Sequence, residues 1–173
     1  MKLHRLATLL YYSSWLCLLA LPALLVGLTY AYGPFPQEGG IAPLPAPSEF
    51  ATGWHIWSAY ILGLFPNLLL IWAIYQMRGL FGLYRRGEVL TRPAALHIRQ
   101  IGFALTGIGI LPLLVRPLQT VLLTMANPPG SRSISFAISS SDLGYLLGGG
   151  LMILIGWAML QAAEVAEENR AFV

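Results

Sequence analysis

The sequence has 173 residues, of which 57% are hydrophobic and 10% charged, and its mean hydropathy is +0.68. Soluble domains carry about a quarter charged residues, so this composition argues against a soluble fold and predicts a single membrane domain over residues 1–173. The net charge of +3 comes mostly from residues beside apolar runs. It therefore indicates membrane orientation and lipid contact, and it argues against direct binding of nucleic acid.

The first apolar run, residues 6–32, follows a basic start and predicts a helix kinked at Pro22. A secretion signal also starts with basic residues, but its apolar stretch is only about 7 to 15 residues long, so we expect this helix to be retained. Residues 33–53 contain several prolines and no Lys or Arg. This composition predicts a stiff outer loop; the alternative is a ligand for an aromatic groove of a partner.

The second apolar run, residues 54–77, predicts a helix with Trp54 and Trp57 at its outer end. Pro66 and Asn67 interrupt it and predict a kink, at which Asn67 donates a hydrogen bond to a neighbouring helix. A transport site at this interruption is the alternative.

Residues 78–97 are expected to form a basic cytoplasmic loop, because arginines beside membrane helices concentrate on that side. The arginines in and next to this loop that we expect to contact a partner are Arg85, Arg86, Arg92 and Arg99. Residues 80–84, which precede Arg85, form a short amphipathic stretch suited to the surface of an anionic bilayer.

The third apolar run, residues 98–125, predicts a helix whose outer half contains Arg116. An arginine at this depth is costly in lipid, so we expect it to lie inside the bundle and to pair with Asp142. This predicted intramembrane pair is a structural clamp or, alternatively, an anion-binding or gating site. The competing partners are Glu38, Glu49 and carbonyls freed near Pro112 and Pro117, and Arg132 competes for Asp142.

The fourth apolar run, residues 143–163, predicts a helix rich in small residues, which let helices approach closely. These residues are the GxxxG pair Gly144 and Gly148 and the seven-residue repeat Gly149, Gly156 and Ala163. We expect this helix to be the most enclosed of the four; the same pattern is also compatible with a homo-oligomer formed through it.

Three acidic residues follow this helix, Glu164, Glu167 and Glu168. Acids near a helix C-terminus oppose the macrodipole, so we expect them to contact the arginines of the cytoplasmic loop. A solvated end of the helix is an equal alternative.

The pattern indicates no enzyme and no cofactor. His4 and His97 are expected near the inner face and His55 near the outer face, and no metal-binding motif or clustered carboxylate is present in the sequence. The acidic residues lie at predicted membrane boundaries or in loops, which leaves none at mid-bilayer to relay protons.

Three stretches of the sequence together resemble an uncharacterised bacterial membrane family, catalogued as domain of unknown function twenty-nine seventy-five. They are residues 83–91, residues 101–102 at the start of a membrane helix, and residues 140–173 with their Glu-Asn and Phe-Val ending. The resemblance implies a four-helix protein of the bacterial inner membrane without an established activity. It also implies a pairing with a small helix-turn-helix regulator.

The sequence as a whole therefore predicts an all-α, multi-pass four-helix membrane bundle with both termini in the cytoplasm. Its expected role is that of a non-enzymatic accessory or regulatory protein that binds a partner, such as a cytoplasmic regulator. The alternative is a small transport or channel component that acts as a homo-oligomer.

Overall fold

The computed structural model describes residues 2–32, 49 and 51–171, with side chains for residues 4–31, 49 and 51–166. Its helices are α1 (Lys2–Tyr32), α2 (Gly53–Gly63), α3 (Phe65–Arg85), α4 (Arg92–Thr124) and α5 (Ser140–Ala171). Four helical stretches are long and apolar enough to cross a membrane: His4–Ala31, Gly53–Arg85, Arg92–Thr124 and Ser140–Ala166. The predicted all-α class and its four long apolar helices are thus confirmed. Most of the predicted outer loop, residues 33–53, lies outside the described residues.

The second apolar run is divided at Leu64 into α2 and α3. Pro66 lies in the first turn of α3, where its missing N–H costs little because that group has no partner within the helix. Asn67 Nδ2 donates to the carbonyl oxygen of Gly63 at 3.3 Å, one turn earlier in the chain. Asn67 was predicted to bond a helix outside the second apolar run. That prediction is wrong, because the break between α2 and α3 offers a nearer acceptor within the same run.

The predicted basic loop, residues 78–97, is mostly helical, and the connection between α3 and α4 covers only residues 86–91. Gly87 has a φ of 84° and ends α3, as a left-handed glycine after a C-cap commonly does. Pro93 lies in the first turn of α4. Residues 80–84 are consequently the last turns of α3 rather than a separate interfacial stretch.

The long helices form an open row in the order α1, α3, α4 and α5. α4 packs against α2, α3 and α5, whereas α5 packs against α4 and no other helix within the described part of the chain. The expectation that the last helix is the most enclosed is therefore wrong. The buried cluster of Leu80, Ala94, Ile98 and Ile101 lies between α3 and α4.

Glycines spaced seven residues apart bring α4 and α5 close together. A Cβ at Gly149 would lie 2.5 Å from the backbone nitrogen of Thr106, and one at Gly156 would lie 2.7 Å from that of Arg99. The GxxxG pair behaves differently, since a Cβ at Gly144 or Gly148 would have no atom within 4 Å. The seven-residue repeat therefore forms the helix contact, and the GxxxG pair does not.

Candidate functional site

Three side chains of α4, each four residues apart, hold an extended segment that precedes α5. Four helical residues rise about 6 Å and two extended residues rise about 6.6 Å, so every fourth helical residue matches every second residue of the segment. The matched pairs are Thr124 Oγ1 with Ser133 N (3.2 Å), Thr120 Oγ1 with Ser135 N (3.2 Å), and Arg116 Nη1 with the carbonyl oxygen of Ala137 (3.2 Å).

The alternate residues of this segment are large and exposed: Ile134, Phe136 and Ile138. The alternation of small with large apolar residues over 133–139 is the pattern of an extended strand. This alternation is visible in the sequence, but it is short and lies between two long apolar runs that dominate the hydropathy.

The Arg116–Asp142 pair that the sequence suggested lies at the end of this segment. Arg116 Nη2 is 3.9 Å from Asp142 Oδ2, and the two side chains are 24% and 9% exposed. Asp142 Oδ2 also accepts a hydrogen bond from the Ser139 amide at 2.8 Å, while Ser139 Oγ accepts one from the Asp142 amide at 3.2 Å. This reciprocal capping box fixes the carboxylate at the N-terminus of α5, where the helix dipole favours negative charge.

The other partners considered for this pair lie elsewhere. Arg132 Nε donates to the carbonyl oxygen of Asn127 at 3.1 Å and remains exposed. Glu49 is exposed, and Glu38 lies outside the described residues. The geometry therefore favours a structural clamp between α4 and α5.

A second buried polar contact joins α4 to α2. Gln119 is 6% exposed, and its Nε2 donates to the carbonyl oxygen of Ala59 at 2.9 Å. Gly63 leaves the space that this amide occupies, since a Cβ there would collide with Gln119. The contact between Gln119 and Ala59 could not be predicted from the sequence, because a lone Gln in an apolar run does not identify its acceptor.

The other end of the helices, away from Arg116 and Asp142, contains a basic and aromatic cluster between α1 and α3. The guanidinium of Arg78 lies 4.2 Å from the ring centroid of Trp15, and its Nη2 donates to the Tyr11 hydroxyl at 3.5 Å. The guanidinium of Arg85 lies 4.9 Å from the Tyr11 ring centroid. α1 thus packs two aromatic faces against two arginines of α3, which is a favourable cation–π arrangement.

A cavity of about 330 Å³ adjoins this cluster, and the residues that define it are Tyr11, Tyr75, Arg78, Gly79, Arg86 and His97. His97 Nδ1 donates to Gln76 Oε1 at 2.7 Å, which fixes the ring against α3. A Cβ at Gly79 would lie 2.5 Å from His97 Cε1, so the lack of a side chain at this glycine leaves room for the imidazole ring.

The charged residues expected to bind a partner lie around this same end. Arg86, Arg92 and Glu164 are exposed, while Arg99 is partly buried with its backbone against Gly156. Among the described side chains, Arg116–Asp142 is the one ion pair, so Glu164 forms no ion pair with these arginines. Ala163 and Ala166 of α5 nevertheless line one pocket together with Arg92. The side chains of Glu167 and Glu168 lie outside the described residues.

No group of three or more His, Cys, Asp or Glu that could hold a metal ion is found among the described residues. Comparison with known proteins finds no matching protein family, no similar curated protein and no similar solved structure. The likeness to the uncharacterised four-helix family stays a prediction.

Proposed function

We propose that this chain is a multi-pass protein of a bacterial inner membrane with both termini in the cytoplasm. Arg99 and Arg116 are 17 residues apart on α4, or about 26 Å at the helical rise, which is close to the thickness of a bilayer core. On α5, Gly156 packs beside Arg99 and Asp142 beside Arg116. In this proposal, the pair Arg99 and Gly156 lies at one boundary of the hydrocarbon region, and the pair Arg116 and Asp142 lies at the other.

The orientation follows from the arginines. The N-terminal part of α1, the end of α3 and the start of α4 meet at one end, where Tyr11 contacts Arg78 and Gly79 faces His97. This end contains Arg5, Arg78, Arg85, Arg86, Arg92 and Arg99. The excess of Arg assigns this end to the cytoplasm.

Within the membrane, the protein acts by binding a partner and performs no catalysis. The main support for partner binding is that Arg86, Arg92 and Glu164 are exposed at the cytoplasmic end and form no ion pair within the described residues. Both signs of charge are therefore free to contact a cytoplasmic regulator. A complementary charge pattern speeds encounter and selects the partner.

Photo-crosslinking in living cells tests this role. A benzoylphenylalanine at the exposed Glu88, between α3 and α4, should give one discrete adduct with a second protein, which mass spectrometry identifies. The matched control is the same group at the exposed Leu24 of α1, where lipid adducts alone are expected. Lipid or random adducts at both positions would reject the partner-binding role.

The alternative is a transport or channel component that assembles as a homo-oligomer through α5. The observation in its favour is that a Cβ at Gly144 or Gly148 would meet no atom within 4 Å, so this side of α5 is open to a second copy. A crosslinker at Leu147, which is 73% exposed, would then produce adducts at multiples of the chain's own mass.

A further inference from the structure

We propose that the cavity beside Arg78 binds a phosphate-bearing anion at the cytoplasmic boundary of the membrane. The cavity of about 330 Å³ is large enough for a phosphate and part of a headgroup, and Arg78 and Arg86 are both among its lining residues. Tyr11 and Tyr75 also line it.

The guanidinium of Arg78 lacks a counter-ion within the described part of the chain. It has no carboxylate within ion-pair distance among the described side chains, and its polar contact is the Tyr11 hydroxyl. A charge near the membrane normally finds a counter-ion. An anion in the cavity would supply it.

Positive charge is crowded beside the cavity. The guanidinium groups of Arg78 and Arg85 lie 5.6 Å and 4.9 Å from the centroid of the same ring, that of Tyr11, and Arg86 follows directly in the chain. The cation–π contacts hold these guanidinium groups in place without neutralising them. Arginine donors in a fixed fork geometry match the oxygens of a phosphate.

Two glycines of α3, Gly79 and Gly82, lie in the cavity lining, so no side chain of α3 fills the cavity at these two positions. His97, held by Gln76, closes the side next to α4. Because the helices α1, α3 and α4 are all involved, an anion bound here would link α1 to the rest of the row, which it otherwise contacts chiefly through α3.

Such an anion has two sources, the headgroup of an anionic phospholipid or a soluble phosphate compound. Basic pockets between membrane helices on the cytoplasmic side are suited to lipid headgroups. If the anion is a lipid headgroup, the inference rests on the proposed placement in a membrane; if it is a soluble phosphate compound, it does not. Binding itself is measured on purified protein and does not depend on a protein partner.

The test uses the full chain in a neutral detergent and native mass spectrometry to measure the apparent Kd. The probes are dioctanoyl phosphatidylglycerol, dioctanoyl phosphatidylcholine and inorganic phosphate. We expect saturable binding of phosphatidylglycerol that weakens about tenfold in Arg78→Gln and in Arg86→Gln, because each substitution removes a charge-assisted hydrogen bond. Arg86 is exposed, so its variant should fold even if Arg78→Gln does not.

Arg92→Gln is the matched control, because Arg92 is an exposed arginine at the same end but outside this cavity. Its affinity for phosphatidylglycerol should change by less than about twofold if the contact is local rather than general attraction. Binding of inorganic phosphate with the same dependence on Arg78 and Arg86 would identify a soluble source. Equal weakening in Arg86→Gln and Arg92→Gln, or no preference for phosphatidylglycerol and phosphate over phosphatidylcholine, would overturn the site.

Discussion

Arg116 on α4 faces Asp142 at the start of α5, with Nη2 3.9 Å from Oδ2. The Asp142 carboxylate is oriented by the Ser139 amide, and Arg116 Nη1 is bonded to the Ala137 carbonyl oxygen. One guanidinium therefore joins α4, the extended segment and α5. Loss of either member would leave a charge in a mostly apolar environment, so the two residues are expected to act as a unit.

A double-mutant cycle measures this unit in mixed micelles by the free energy of unfolding. Arg116→Leu should cost about 2 to 3 kcal/mol, less than a fully buried pair because Arg116 is 24% exposed. Asp142→Asn removes the charge but keeps an acceptor for the Ser139 amide. The double variant should lose about 1 kcal/mol less stability than the sum of the losses in the two single variants. Arg132→Leu, at an exposed arginine, is the control and should change little; strictly additive losses for the pair would contradict the clamp.

The glycines of α5 give a matched pair of substitutions one residue apart. Gly149→Ala should destabilise the protein by about 1 to 3 kcal/mol, because the new Cβ would press on the α4 backbone. Gly148→Ala has open space around it and should be neutral, or stabilising by up to about 1 kcal/mol through helix propensity. Thermal unfolding in detergent measures both. Equal effects would mean that α5 is rotated relative to the described contact.

The extended segment depends on Thr120, whose Oγ1 accepts from the Ser135 amide at 3.2 Å. Thr120→Val removes this acceptor at nearly constant volume, so amide hydrogen exchange in residues 131–139 should become faster. Thr106→Val is the control, because Thr106 Oγ1 is buried without a hydrogen-bond partner. Removal of this hydroxyl should leave the stability of the protein unchanged or raise it. Unchanged exchange in Thr120→Val would show that the threonine does not hold the segment.

The four long apolar helical stretches could be predicted because long apolar runs have few alternatives in a membrane, but the division of the second stretch into α2 and α3 was expected only as a kink. The pairing of Arg116 with Asp142 followed from the cost of an isolated charge, which leaves few partners at that depth. Helix lengths were underestimated between residues 78 and 97, because hydropathy detects the apolar part of a helix and arginines extend helices well beyond it.

The arrangement of the helices could not be obtained in this way. GxxxG indicates a close approach, but Gly144 and Gly148 face away from α4 while Gly149 and Gly156 touch it. Periodicity along one helix does not determine which side meets which neighbour. The cavity beside Arg78 depends on residues from α1, α3 and α4, so its parts are too far apart in sequence to form a motif.

The orientation predicts which of two exposed positions reacts with an impermeant thiol reagent in intact cells. The native Cys17 is exposed, so both variants need a Cys17→Ser background. Ser131→Cys lies in the turn after α4, on the Arg116 side, and should be labelled without lysis. Glu88→Cys lies between α3 and α4 among the arginines and should be labelled only after the membrane is opened. The reverse pattern would invert the topology, because lysine and arginine in short loops are retained in the cytoplasm during insertion. It would also move the cavity beside Arg78 to the outer side.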